Sequence, residues 1–397
     1  MSQPSTPSAT RGNSSPAAGM SREFELLCAC SGVELSLERS GRIANCTASE
    51  INWDELLRQA EHHGVAPLLA RNLRAHGRGV PANIEQSLRS GFEANIRRNL
   101  WFASELVRIL QHFDEKAIRT VPYKGPVLAE SVYGDLALRR FSDLDFLVAP
   151  SDFSRAKQAL GELGYEPSVS LTPAAERMVL QTGYELSFDS AAGKYLVELQ
   201  WGLLPHFYSV DLSANDLLQR SGRTVLGGKE VPSLSPEDLL LVLCLHAAKH
   251  LWMRLIWISD IAETLRSQTL DYGVVFSRAR ELGIVRVLGV SFWLARNVLG
   301  SAIPQQAEDL VGADPQIEVL GKLFAGRLAS SATYDFESTE YFRLVLALRE
   351  RRRDRVRYLW RLVWTPGPGE VAAVQLPGPL SPLYRVVRIV RLLRKLA

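Results

Sequence analysis

The stretch Tyr123–Val148, YKGPVLAESVYGDLALRRFSDLDFLV, decides how the chain reads. It divides into a Lys-Gly turn, a short apolar helix, a loop carrying Arg139 and Arg140, and a strand that begins Asp-Leu-Asp. Alternation along a strand sends residues i and i+2 to one face, roughly 6–7 Å apart. Asp143 and Asp145 therefore point together, while Leu144, Phe146 and Val148 point to the opposite side. Two carboxylates side by side repel each other unless a cation lies between them. The pattern predicts a divalent-metal site at the head of a strand.

Downstream of this strand, Ser151 is placed to cap a helix over Phe153–Leu163 that Gly164 closes, and Tyr165–Val169 reads as a strand. Tyr184–Phe188 and Tyr195–Trp201 alternate apolar and polar residues around a loop, as a hairpin does. Arg223–Leu226 and Glu230–Leu234, joined by Gly227 and Gly228, form a second hairpin pattern. If the metal site serves phosphoryl transfer, a third acid should flank the Asp pair from a later strand. Glu198 in YLVELQW meets that requirement, lying between apolar Val197 and Leu199. Residues 117–234 thus read as an α/β core.

Helical patterns lie on both sides of that core. Residues 49–116 carry Ser49 as a cap ahead of Ile51, Trp53, Leu56 and Leu57, a start at Pro67, and an amphipathic stripe over Ile84–Phe113. A β-like run, Arg119–Tyr123, follows. Residues 235–340 open with Ser235-Pro236-Glu237-Asp238, a capping residue, a first-position proline and first-turn acids, and continue as apolar helices. Residues 1–48 read as largely disordered, with one short helix around Glu23–Ala29. The first 20 residues, rich in Ser, Pro, Thr and Ala, have too little apolar content to offset chain entropy.

The chain has 397 residues, 46% hydrophobic and 22% charged, enough for two or three domains with a sizeable core. Residues 340–397 hold 13 Lys+Arg against 4 Asp+Glu, so this tail is +9 in a chain whose formal net charge is only +3. It reads as two basic helices, Tyr341–Val363 and Leu383–Leu396, around a Pro/Gly-rich linker over Pro366–Pro382. The four cysteines show no Cys-x-x-Cys spacing, which argues for reduced thiols rather than a disulfide framework or a zinc site. No signal-peptide core and no apolar run of about 18 residues is present, and the expectation is a cytoplasmic protein, with peripheral membrane contact through the tail as a further option.

The segments KG…LAESVYGDLALRRFSDLDFLV, LGELGYEP, VELQW and LSPEDLLLVLCLHAAKHLWMRLIWISDI together resemble the bacterial nucleotidyltransferase family of the DNA polymerase beta-like superfamily, over about Ile51–Pro304. The resemblance implies an α+β fold: a polymerase-beta-like core of mixed sheet and helices, flanked by N-terminal and C-terminal helical segments. It implies that Asp143, Asp145 and Glu198 hold two Mg2+ ions, with Mn2+ as an alternative, and that a nucleoside triphosphate (NTP) is the substrate. The nucleoside monophosphate would pass to an acceptor, a small molecule, protein or RNA, with release of pyrophosphate. Gly125 would let the backbone approach the phosphates at a helix N-terminus.

Two departures from the family pattern are visible. Members often have Ser or Thr after the turn glycine, and this chain has Pro126, which donates no hydrogen bond; Lys124 would then supply the phosphate contact as a point charge. The third-acid segment is Glu-Leu-Gln-Trp where the family favours Asp-Leu-His-Trp. Arg140, and less so Arg139, is a candidate for neutralising phosphate. His246 and His250 share a helix face without an intervening acid, so metal ligation is not expected; Lys249 and His250 either line the nucleotide or acceptor cleft or pack in the ordinary way. Trp252 and Trp257 read as core, with base stacking as the lesser option, and Asp260 as orienting a helix end or a nearby basic residue. Arg385, Arg388, Arg391 and Arg394 lie among apolar residues. A helix packed on the body with snorkelling arginines is the plain reading, ahead of an anionic membrane surface and then nucleic acid. The competing functional class is a catalytically degenerate binding module with the same fold.

Overall fold

In a computed structural model the described residues are 20–190, 196–332, 335, 336, 338–365, 370, 374 and 383–396. Four helices come first: α1 Arg22–Cys30, α2 Leu37–Thr47, α3 Trp53–His63 and α4 Ala66–His76. The long α5, Ala82–Glu115, leads to β1 Thr120–Pro122, α6 Gly125–Tyr133 and β2 Asp143–Val148. Then come α7 Phe153–Glu162, β3 Tyr165–Pro167, α8 Pro173–Thr182, β4 Glu185–Ser190, β5 Leu196–Gln200 and α9 Ala214–Arg220. The hairpin β6 Gly222–Leu226 and β7 Lys229–Ser233 precedes a helical half: α10 Pro236–Lys249, α11 Leu255–Ser267, α12 Tyr272–Leu282, α13 Val285–Leu299, α14 Gln305–Ala313 and α15 Pro315–Ala329. The tail contributes α16 Thr339–Ala347, α17 Arg352–Trp364 and α18 Tyr384–Leu396. The fold is mixed α+β.

The main sheet has the order β1-β2-β5-β4-β3 and mixed direction: β2 and β5 are parallel, and the other neighbours are antiparallel. Its two faces differ. Leu144, Phe146, Val148, Val197, Leu199 and Phe188 enter one core with Phe113 of α5 and Phe153 of α7. On the other face the far end of β2, at Leu147, and its β1 partner Val121 join the larger helical core. The near end of that face carries the acids.

Several elements differ from the sequence expectation, each for a tertiary reason. The short helix expected around Glu23–Ala29 is α1, but the rest of the region, expected to be largely disordered, also orders as α2, with Phe24, Leu26, Leu27 and Ile43 fully buried. The end of α1 is closed by Arg39, whose buried guanidinium donates to the carbonyls of Cys28 and Ala29, a partner that no local pattern announces. These helices and α10–α15 share one hydrophobic core. Asn52, not Ser49, caps α3, and Asp152 rather than Ser151 precedes α7, without a side-chain cap. The expected helix over Tyr341–Val363 is broken between α16 and α17, because Arg286 of α13 donates to the carbonyls of Ala347 and Arg349 and stops α16 there. Residues 1–19, Tyr195 and most of the Pro/Gly-rich linker lie outside the described residues.

The loop between α6 and β2 is clamped from two sides. From α5, buried Asn95 and Asn99 donate to the carbonyls of Ala137, Leu136 and Arg139. From α11, Asp260 accepts a bidentate pair from Arg139, at 2.8 and 2.9 Å, and a 2.7 Å bond from the Tyr133 hydroxyl. Both charges are buried, so removing one partner strands the other, at a cost of about 3–5 kcal/mol. An Asp260→Ala variant should lose stability on that scale in chemical denaturation. Arg223→Ala, which breaks the exposed Arg223–Glu230 pair, should cost under about 1 kcal/mol. Equal losses for the two variants would contradict the clamp.

Candidate active site

The register of the sheet assembles the site. Asp145 lies opposite Glu198 across the parallel β2/β5 pair, and Gln200 lies opposite Glu185 across β5/β4. With two-residue alternation, Asp143, Asp145, Glu198, Gln200 and Glu185 share one sheet face. Asp143, Glu185 and Glu198 border a cleft of about 510 Å³ that Lys124, Arg139, Arg140, Lys249 and His250 also line, with Asp145 and Gln200 buried beneath.

Gln200 is the hub. Its amide nitrogen lies 3.0 Å from Asp145 Oδ1, 3.0 Å from Glu198 Oε2 and 3.2 Å from Glu185 Oε2. The Tyr123 hydroxyl donates to its Oε1 at 2.5 Å, which sets the direction of the amide. Lys124 Nζ, at the cleft wall, reaches buried Asp145 Oδ1 at 2.8 Å. Asp145 Oδ2 is buried and has no hydrogen-bond partner. Among the described residues, no three His, Cys, Asp or Glu side chains make a metal cage on their own.

Gly125 sets the turn beside the acids. Its φ of +54° lies in the left-handed region that glycine adopts without strain. The glycine therefore lets the chain turn from β1 into the first turn of α6 next to the head of β2. Pro126 follows inside that first turn.

The electrostatics follow from crowding. Burial, and then the neighbouring Asp145, raises the pKa of Asp143 above the usual carboxylate range. Burial, then Asp145 and Glu185, pushes Glu198 up to about 8. Lys124 goes the other way: burial is the largest influence and works against its charge, but Asp145, Tyr123, Asp143 and Glu198 together outweigh it and the ammonium stays protonated well beyond its ordinary range. Burial lowers Lys249, and burial with nearby Lys124 or Lys249 keeps His246 and His250 neutral.

The remaining candidates separate clearly. Arg139 lines the cleft wall but is committed to Asp260, the orienting role expected of that acid. Arg140 lies at the rim and pairs with Glu61. Lys249 Nζ donates to the Tyr184 hydroxyl at 3.0 Å. His250 stacks on Trp257, ring centroids 4.9 Å apart, while Trp252 is fully buried against Phe324. Sequence reasoning missed Gln200, Glu185, Tyr123 and Arg98. The first was within reach, since position i+2 from Glu198 must share its face. Arg98, from α5, lines the cleft with a buried Nε that has no partner. A second cavity of about 320 Å³, walled by Leu57, Pro67, Leu88 and Phe92, shares Glu61, Arg98 and Arg140 with the cleft.

The elevated Glu198 makes a prediction about stability without metal. Between about 4.5 and about 8 the folded state holds a proton on Glu198 that the unfolded chain has released. Stability attributable to this group therefore falls as pH rises through that window. In a chelator, the melting temperature of Glu198→Gln minus that of the unaltered protein should increase from about pH 5 to about pH 8 and then level off. A difference that stays flat with pH would contradict the assignment.

A family model described as uncharacterised nucleotidyltransferase matches residues 49–300, which spans the sheet, its acids and the helices lining the cleft. No curated protein matches the chain. The chain belongs to this nucleotidyltransferase family and is an enzyme of that class.

Proposed function

We propose that this enzyme is magnesium-dependent and moves a nucleoside monophosphate from a nucleoside triphosphate to an acceptor, a small molecule, protein or RNA, with release of pyrophosphate. The observation that carries the reading is the cluster of Asp143, Asp145 and Glu198 on one sheet face, Asp145 buried and the other two half-buried, beside the Lys124–Gly125 turn. The mixed sheet with Asp-x-Asp on an inner strand also supports a polymerase-beta-like core.

The residues suit a divalent cation. An orphaned oxygen on Asp145 and two acids with raised pKa values together describe a site short of positive charge. A ready-made cage is not required, since Mg2+ is usually held by one or two carboxylates together with substrate phosphates and waters. Asp143, Asp145 and Glu198 would hold the ions, two of them, with Mn2+ as the substitute metal. When bound, the metal would supply charge stabilisation at the transferring phosphate and lower the pKa of the acceptor hydroxyl.

The chain's own groups have separate tasks. Lys124, which neutralises Asp145, is the cation closest to the α6 N-terminus and would meet phosphate oxygens as a point charge. Gly125 admits the phosphates close to the backbone in place of the hydroxyl that Pro126 cannot offer. Gln200 holds the acids in register through hydrogen bonds that do not titrate. At the rim, Arg140 and Arg98 offer guanidiniums to the outer phosphates, and Lys249 and His250 form the opposite wall. The adjoining apolar cavity offers room for an acceptor.

Asp143→Asn and Asp145→Asn should each lower turnover by about 10²–10³-fold or more, since several kcal/mol of transition-state stabilisation is at stake. Each should also abolish the Mg2+-dependent part of triphosphate binding in calorimetric titrations. Triphosphate binding that is indifferent to Mg2+ and to both substitutions would sink the proposal and favour a binding module without catalysis.

A further inference from the structure

We propose that α17 is a membrane-docking helix that seats the enzyme on an anionic lipid surface. Among the described residues, nine of the sixteen exposed large hydrophobic side chains lie between Val356 and Val390, a short part of the chain. Five of them, Val356, Leu359, Trp360, Val363 and Trp364, follow the i, i+3, i+4, i+7, i+8 spacing of a single helix face. Val356 is 68% exposed and Trp360 64%, whereas Tyr358 on the opposite face is 0% exposed.

This stripe is not the inner face of a loosely placed helix. The back of α17 is fixed to the body through Tyr358 and Leu362, both buried. Arg357 bonds Asp211, Arg361 donates to the His206 carbonyl, and Arg388 of α18 donates to the Leu362 carbonyl at 3.1 Å. An amphipathic helix normally hides one apolar face; α17 has two, and only one is covered. Trp360 and Trp364 stand side by side at 5.4 Å between centroids, and tryptophan suits the boundary between headgroups and acyl chains.

Charge selects the occupant. Exposed Arg352 and Arg353 lie at the start of the helix, and residues 340–397 carry 13 Lys+Arg against 4 Asp+Glu. A second copy of the chain would bring two such tails together and repel. Nucleic acid would leave the apolar stripe uncovered, and Arg388 and Arg391 of α18 are already engaged by buried Glu370. An anionic bilayer satisfies both the stripe and the arginines, by burial of the first and attraction of the second. A 13-residue helix, about 20 Å long, would lie in the interface plane. Among the described residues no helix is long and apolar enough to cross a membrane.

The test is vesicle co-sedimentation of the full chain with phosphatidylcholine alone and with phosphatidylcholine containing about one third phosphatidylserine, followed by tryptophan fluorescence. The expected result is salt-sensitive binding to the anionic vesicles, a blue shift, and weak binding to the neutral ones. The doubly substituted Trp360→Ala/Trp364→Ala chain should bind anionic vesicles about tenfold more weakly or worse, with an unchanged melting temperature because both side chains are exposed. A milder Val356→Ser/Val363→Ser variant gives a second reading of the same face. The absence of anionic-vesicle binding, or binding that the stripe variants leave unchanged, overturns the proposal. So does a dimer that the variants convert to a monomer in light scattering without any vesicle binding, or RNA binding that the variants abolish.

Discussion

Asp145 on β2 lies directly opposite Glu198 on the parallel neighbour β5, and the rest of the site answers that constraint. Adjacent strands are about 4.8 Å apart, so two ionised carboxylates there repel by roughly 3 kcal/mol at an effective dielectric of 20. That corresponds to about two pKa units. Glu198 rises further, to about 8, with burial the largest cause, then Asp145 and Glu185, and Lys124 opposing them. The strands can tolerate the pair because Lys124 neutralises Asp145 and Gln200 hydrogen-bonds both acids. What remains, an orphaned Asp145 oxygen and a shortage of positive charge, is the property that a metal–triphosphate complex would satisfy.

Holding that arrangement requires a rigid frame, and the two cores supply it. One face of the sheet is fixed to α5 and α7 by Phe113, Phe146, Phe153 and Phe188. The loop entering β2 is fixed by asparagines of α5 and by the Arg139–Asp260 pair from α11. The same α5 presents Arg98 to the cleft, so the helix that braces the loop also shapes the mouth of the site. Tyr341 of α16 donates to the carbonyl of Lys249 at 2.7 Å, which ties the tail to the opposite wall.

Much of this was legible in the sequence where a local rule governs. Period-two alternation placed Asp143 with Asp145 and set Val197 and Leu199 against Glu198; the Gly227-Gly228 pair marked the β6/β7 turn, where both glycines have positive φ. The Ser235-Pro236 start of α10 has the expected cap, a bond from the Asp238 amide to the Ser235 side chain. Elements decided by distant partners were not legible. Arg39 closing α1 and Arg286 ending α16 are tertiary contacts with no signature at the helix they cap. Arg98 looks like any polar residue on α5 until the sheet is built beneath it. Arg388 and Arg391, read as snorkelling cations on a packed helix, are instead drawn inward by buried Glu370, and the larger part of the apolar surface left open belongs to α17.

In the proposed reaction the acids on β2 and β5 form a cation site completed by a triphosphate. The most direct measurement is anomalous diffraction from crystals grown with Mn2+ and a non-hydrolysable nucleoside triphosphate. Manganese peaks are expected on the carboxylates of Asp143 and Asp145, with Glu198 adjacent and the phosphates against the Gly125 turn. Nucleotide density without manganese at these carboxylates, with Lys124 still bonded to Asp145, would contradict it.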